Sequence, residues 1–246
     1  MGESYRALCS DFYVNQKLSL KLDLPRERQT VLDLFDRTRR QFPAMSQFRR
    51  YRDEVALETE SGAAQNRWVA IRTNNIRSGS VNPETLDEAY SLHRHVLDVA
   101  PFFLSISPLD VDFLELLFGF DLHAERNHDE IVYEALVASS PLAKLLDIPE
   151  ATMADCQPVF GLMVRDSGGA EVEVNFEVKT RSAGKGGKGE EPISVYLTLR
   201  RFGPVNEVRE LPDVLGQLSK LGEEIVDSRV VPNLVVPIRD AIGTSR

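Results

Sequence analysis

The sequence predicts an α+β protein made of duplicated strand–helix–hairpin–helix units, with mostly antiparallel sheets, helices packed on one face and a pseudo-twofold arrangement of the two copies. Three patterns carry that expectation. Apolar and polar residues alternate strictly in several segments, as in a sheet with one buried face. Between those segments apolar residues recur at three- and four-residue spacing, as on the buried stripe of a helix. The order of the two signals then repeats along the 246 residues.

The first strand signal is Val14, Gln16, Leu18, Leu20, Leu22 and Leu24, alternating with Asn15, Lys17, Ser19, Lys21 and Asp23. Pro25 suits a first helical position, where a missing N–H costs nothing, and Val31, Leu34, Phe35 and Phe42 give that helix its stripe. Pro43 and the basic stretch to Arg52 end it. Glu54 to Glu60 and Arg67 to Thr73 read as a hairpin turned by Ser61-Gly62-Ala63-Ala64. Asn82-Pro83-Glu84 reads as the cap, first-turn proline and acidic first turn of a second helix bearing Leu86, Ala89, Tyr90, His93 and Leu97.

From about Pro108 the order restarts. A strand runs through Leu114, Leu116, Phe118, Phe120 and Leu122, and Asn127 with Glu130 three residues on reads as a capping box. Two strands follow around Asp166-Ser167-Gly168-Gly169, then a third through Ile193, Val195, Leu197 and Leu199. Leu211, Val214, Leu215, Leu218, Leu221 and Ile225 trace the cleanest amphipathic helix in the chain. The expected organisation is a basic repeat over residues 1–106, an acidic repeat over 107–229 that carries one strand more, and a tail over 230–246. Val230, Val231, Leu234, Val235, Val236 and Ile238 make that tail too apolar to stand in water, so it should dock on its own domain or on another subunit.

The net charge of −9 is split unevenly. Residues 1–80 hold 14 Lys and Arg, 12 of them Arg, against 10 Asp and Glu, whereas the remainder holds 15 against 28. One reading is that the basic and acidic regions face each other; the other is that the arginines bind an anion. The acidic remainder argues against nucleic acid as a partner. No stretch approaches the roughly 18 apolar residues of a membrane span, and the first ten residues lack the apolar core of a signal peptide, so a cytoplasmic chain is expected. Cys9 and Cys156, far apart and outside any Cys-x-x-Cys pattern, imply neither disulfide framework nor thiolate metal site.

Gly184-Lys185-Gly186-Gly187-Lys188-Gly189 matches G-x-G-x-x-G formally, but a strand follows it rather than the helix that a dinucleotide site needs, so it reads as a connection between strands and implies no cofactor. No motif of a P-loop, nucleophile elbow or zinc protease occurs. His123, Glu125, His128 and Asp129 gather where a strand gives way to a helix and are the candidate metal ligands, against the plainer reading of a capped helix start; no metal is expected. Phe48-Arg49-Arg50-Tyr51-Arg52 interleaves cations and aromatics, with Trp68 and Arg72 on the following hairpin. Asp33 with Arg37 and Asp36 with Arg40 are favourably spaced helix pairs, leaving Arg49, Arg50, Arg52 and Arg72 without local mates. These four with Trp68 form the candidate site for an anion or an acidic partner.

Three functions fit. The first is a non-enzymatic binding or protein-interaction module, in which a homo-oligomer or protein partner uses the apolar tail. The second is a carrier of an apolar small molecule: the element order is similar to that of helix-grip proteins, whose curved sheet wraps a long C-terminal helix and can enclose a cavity. The third is an enzyme of unrecognised type. Architecture alone does not choose among them.

Overall fold

Two strands from opposite halves of the chain meet at the centre of the sheet. β1 (Asp11–Leu20) and β6 (Val111–Leu122) pair antiparallel from Asp11↔Asp121 to Ser19↔Phe113, with a slip after Ser19. In this computed structural model, which describes residues 5–243 except 26, 61, 63, 64, 167 and 181–190, every other strand adds outward from that pair. On one side lie β5 (Asn75–Val81), β4 (Asn66–Ile71), β3 (Val55–Thr59) and β2 (Met45–Arg50); on the other lie β9 (Ile193–Phe202), β8 (Glu171–Lys179) and β7 (Val159–Arg165). The result is one nine-stranded sheet in which all pairings are antiparallel. Helices complete an α+β fold, and among the described residues no helix is long and apolar enough to cross a membrane.

The period-2 pattern decides which face is buried. Phe12, Val14 and Leu18 of β1, Leu116, Phe118 and Phe120 of β6, and Val195, Leu197 and Leu199 of β9 are excluded from solvent on the inner face. Against them pack α2 (Leu86–Phe103), through Ala89, Leu92, Val96 and Leu97, and α5 (Leu211–Ile225), through Leu211, Leu215 and Leu218. Tyr5, Phe12 and Phe120 stack at centroid distances of 5.1 and 5.9 Å. α1 (Arg28–Gln41) covers the β2 end of the same face, with Phe35 5.9 Å from Phe48. The outer face carries charge instead: Arg200 bonds Glu115 at 2.5 Å and reaches Glu173 at 3.9 Å.

Several sequence expectations shift. The first strand ends at Leu20, not Leu24, because Leu20 and Leu24 donate their N–H groups to Asn74 and Thr73, folding the chain over the β4–β5 turn and leaving Leu22 65% exposed. Thr85, not Asn82, caps α2: its hydroxyl accepts from the Glu88 N–H at 3.2 Å, while Asn82 takes a positive φ of 50° and binds Asp11 and Phe12. The basic stretch after Pro43 is a strand, β2. The segment Asn75–Val81, whose Ser78, Gly79 and Ser80 hide its alternation, is another, β5. The meander of the first half therefore has four strands and that of the second three, the reverse of the expected surplus. Asp36 pairs with Arg39 at 3.1 Å and Asp33 accepts from Gln29, rather than from the arginines four residues on.

The apolar tail is not separate. α5 runs on through a π-helical segment, Val226–Val235, into α6 (Val236–Gly243), and Val226, Val230, Val235 and Ile238 are buried against the chain's own core. Pro232 lacks an N–H for the ladder, and side chains take carbonyls along the same stretch: Ser228 Oγ donates to Glu224 O at 2.6 Å and Asn233 Nδ2 to Arg229 O at 2.8 Å. α3 (His128–Leu136) packs beside α6, Arg126 donates to Ala241 O at 3.1 Å, and the single-turn α4 (Ala143–Leu146) follows α3.

Gly222 shows how close the helix-to-sheet packing is, because a Cβ there would stand 2.4 and 2.9 Å from two ring carbons of the wholly buried Phe118. Gly222→Ala should lower stability by about 1–3 kcal/mol in urea denaturation although alanine is the better helix former. A second expectation concerns pH. His93 is fully buried and desolvation holds its pKa at about 3, with Nδ1 2.8 Å from Ser78 Oγ. The unfolded chain takes up this proton near pH 6.5 and the folded chain refuses it, so stability is complete above that value and falls as pH drops. Between pH 6 and 5 the slope should approach one proton, about 1.4 kcal/mol per pH unit, and should shrink in His93→Leu.

Candidate functional site

Strand parity divides the candidate arginines. Phe48 and Arg50 lie on the inner face of β2, opposite Leu57 and Val55, whereas Arg49 lies on the outer face opposite Ala56. Trp68 is also outer: it lies over Gly79, where any Cβ would stand within 2.5 Å of the indole, and its ring takes the Arg77 guanidinium at 5.6 Å. Arg49 points to Glu58 at 3.8 Å on that same outer face. Of the five residues singled out, the structure brings Arg50, Arg52 and Arg72 together and leaves Arg49 and Trp68 outside the group.

Those three arginines rim a cavity of about 530 Å³ at the strand ends, where the β2–β3 turn and the residues after β4 lie under the first turn of α1. Pro25, Val31, Leu32, Val55 and Ile71 supply its apolar wall, and Phe48 and Tyr51 its aromatic rim. Arg28, from the first turn of α1, is a fourth cation that sequence reading passed over; its only signal was a basic residue at a helix start, where the macrodipole disfavours one. Asp53 and Glu54 are the acidic members.

Glu54 organises this group. Its carboxylate takes Arg72 Nε at 2.8 Å and also Arg77, and its backbone carbonyl accepts from the Tyr51 N–H at 2.8 Å, closing the β2–β3 turn. Tyr51 in turn donates its hydroxyl to Glu58 at 2.8 Å, a bond that raises its pKa. Arg28, Arg50 and Arg52 are exposed and have no ion pair or side-chain hydrogen bond among the described residues. The carboxylates bonded to Arg49, Arg67, Arg72 and Arg77 all lie in the first 106 residues, so these cations do not reach across to the acidic half. Guanidinium groups are planar multiple donors of the kind that anions accept from, and here three of them stand beside an apolar floor; its hydroxyls are Thr73 and Tyr51, and among the described residues its lining includes no Cys, His or Ser.

The residues considered for a metal serve the helix start. Asn127 Oδ1 caps α3 by accepting from the Asp129 N–H at 3.0 Å, and His128 Nε2 lies 3.0 Å from Ala124 O. Asp129 is 1% exposed and its Oδ1 accepts from the Cys156 N–H at 2.9 Å and from Thr180 Oγ1 at 2.5 Å. His123 and Glu125 stand exposed on the loop before it. Among the described residues no group of three or more His, Cys, Asp or Glu is placed to hold a metal ion. Burial raises both thiols, Cys9 to about 12, which leaves them protonated near neutral pH. The glycine-rich segment 184–189 lies outside the described residues.

Of a second polar group only His93 was legible, as a hydrogen-bonded core histidine on the stripe of α2. Ser78 donates to Gln16 Oε1 at 2.9 Å and contacts His93, linking β5, β1 and α2 beneath the sheet, with Ser80 and Tyr90 buried nearby in sequence on β5 and α2. The partners of His93 went unseen because Ser78 belongs to a strand with no apolar alternation. Between α5 and the sheet, Phe118 and Leu199 stand close against Gly222.

No protein-family model matches the chain, and no curated protein does. Two solved structures overlap it at low values. One is the di-domain ARO/CYC BexL from the BE-7585A biosynthetic pathway, with TM-score 0.20 and 9% identity over 77% of this chain and 75% of that one. The other is the di-domain ARO/CYC StfQ from the steffimycin biosynthetic pathway, with TM-score 0.23 and 9% identity over 94% and 97%. Overlaps of this size carry no inference to this chain.

Glu54→Gln should cost on the order of 1 kcal/mol in thermal unfolding, since it loosens two arginines and the turn. Arg50→Ala and Arg52→Ala should each stay within about 0.5 kcal/mol of the parent, because neither guanidinium has a structural partner among the described residues to lose.

Proposed function

We propose that this chain is a non-enzymatic binding module whose pocket under α1 takes an anionic group carried on an apolar body. One observation carries the reading: Arg28, Arg50 and Arg52 stand without an ion pair among the described residues around an apolar floor of Val31, Leu32, Val55 and Ile71. Guanidinium groups hold carboxylate, sulfonate or phosphate oxygens through paired N–H donors, and an apolar wall beside them adds area-dependent affinity and excludes water from the contact. The carrier reading requires a hollow between sheet and long helix, and the packing of Phe118 and Leu199 against Gly222 weighs against it.

The same reading extends to the architecture. We infer that residues 1–106 and 107–229 are copies of one unit. In support, β1 is followed in the sheet by β5, β4, β3 and β2 on one side, as β6 is by β9, β8 and β7 on the other, and the two leading strands pair antiparallel. Two unpaired thiols suit a reducing, cytoplasmic setting.

Anilinonaphthalene sulfonate, a sulfonate on fused rings, is a suitable probe, with neutral Nile red as control. Its fluorescence titration should give saturable binding that weakens with added salt and falls about tenfold or more in Arg50→Ala/Arg52→Ala, a change of about 1.4 kcal/mol, while Nile red is indifferent to the substitutions. Equal affinity of parent and double variant for the sulfonate would overturn the proposal.

A further inference from the structure

An open sheet has two edges, and this one treats them differently. Along β2, Ser46, Gln47, Arg49 and Arg50 present polar groups, and its register against β3 slips between Met45 and Gln47. Charge and irregularity of that kind discourage another strand from pairing there. β7 has neither. It pairs with β8 without a slip from Val159↔Glu177 to Arg165↔Glu171, carries its one charge at the last residue, and contains no proline.

Its side chains are apolar on both faces. Phe160 and Leu162 lie on the inner side opposite Phe176 and Val174, and Val159 and Met163 on the outer side opposite Glu177 and Glu173; all four are 54–61% exposed. A helix or loop laid against the edge from one side would shelter only one of these pairs. A strand added alongside gives neighbours to both and takes up the backbone N–H and C=O groups that an edge leaves free.

We propose that the added strand is β7 of a second copy, paired antiparallel about a twofold axis through Leu162, so that two nine-stranded sheets become one. The strand is complementary to itself in that register. Leu162 meets Leu162 of the partner subunit, and Phe160 meets Val164 of the partner subunit, giving an unbroken apolar inner row. On the outer side Gly161 meets Met163 of the partner subunit, small against large, and Val159 meets Arg165 of the partner subunit. Charge permits the approach although each copy carries −9: the glutamates of β8 behind the edge are matched by Arg165 at 3.6 Å, Lys179 at 3.2 Å and Arg200 at 3.9 Å. Four large, half-exposed side chains offer on the order of 400 Å² per copy, about half the roughly 800 Å² per partner of a standard stable interface, so the pair belongs to the weak, transient class with a dissociation constant in the micromolar range.

The test uses the full chain in sedimentation velocity from about 1 to 200 μM, a span chosen to bracket that affinity. The parent should pass from a 27.6 kDa species to its dimer, and Leu162→Lys, which sets two like charges against each other at the axis, should remain monomeric. A parent that stays monomeric throughout, whether because the edge binds a different protein or nothing, overturns the proposal, as does an undiminished dimer of a folded Leu162→Lys variant. Register is read separately in a Cys9→Ser/Cys156→Ser background. Leu162→Cys should form an intermolecular disulfide under mild oxidation, whereas Val159→Cys, whose copies would stand roughly 20 Å apart, should not. The opposite pattern rejects the axis.

Discussion

The structure depends on the antiparallel pairing of β1 with β6. These strands are separated by about a hundred residues of chain, and each brings an alternating row to the same face: Phe12, Val14 and Leu18 from one, Leu116, Phe118 and Phe120 from the other. A strand of this kind cannot bury its apolar row alone, and a two-stranded ribbon is marginal in water. Pairing the two makes a surface broad enough for α2 and α5 to lie on, and each meander then extends it by local, hairpin-linked steps. The side-chain period of two makes the register unforgiving, since a slip by one residue would turn Phe118 and Phe120 to solvent and bring Leu117 and Gly119 under the helices.

The pocket is a consequence of where that sheet runs out. At the β2 edge α1 covers the inner face near its middle, through Phe35 and Phe48, and the strand ends project beyond the helix start. Val55 is only partly buried there, and arginines stand around it. In the interior, burial of a charge is avoided in the usual way: His93 stays neutral and hydrogen-bonded to Ser78. At the rim, guanidinium groups remain hydrated on one side, so they can stand unpaired without the desolvation cost that would exclude them from the core.

Much of this was legible in the residues. Strands β3, β4, β6, β8 and β9 and the two long helices announced themselves because each has one face in the core and one in water, which writes a period into the sequence. β5 and the tail did not. Ser78, Gly79 and Ser80 are buried for reasons external to their own segment: a hydrogen-bonded seam with Gln16 and His93, and the indole of Trp68 lying over Gly79. The helix through Val226–Val235 was obscured by Pro232, which is tolerated only because the turn widens around it. The candidate arginines were found as a cluster in sequence and then split by strand parity, with Arg49 turned to Glu58 and Arg72 engaged by Glu54.

The sequence by itself determined the fold class, the absence of a membrane-spanning helix among the described residues, and the concentration of arginine in the first third, because hydrophobic period and charge are properties of neighbouring residues. Only the tertiary structure decided which arginines share a pocket, that the Asp129 carboxylate accepts from the Cys156 N–H and the Thr180 hydroxyl, and that both meanders join in one sheet. Those outcomes turn on which groups meet across tens of residues of chain, and contact between distant segments is set by the packing of the whole core.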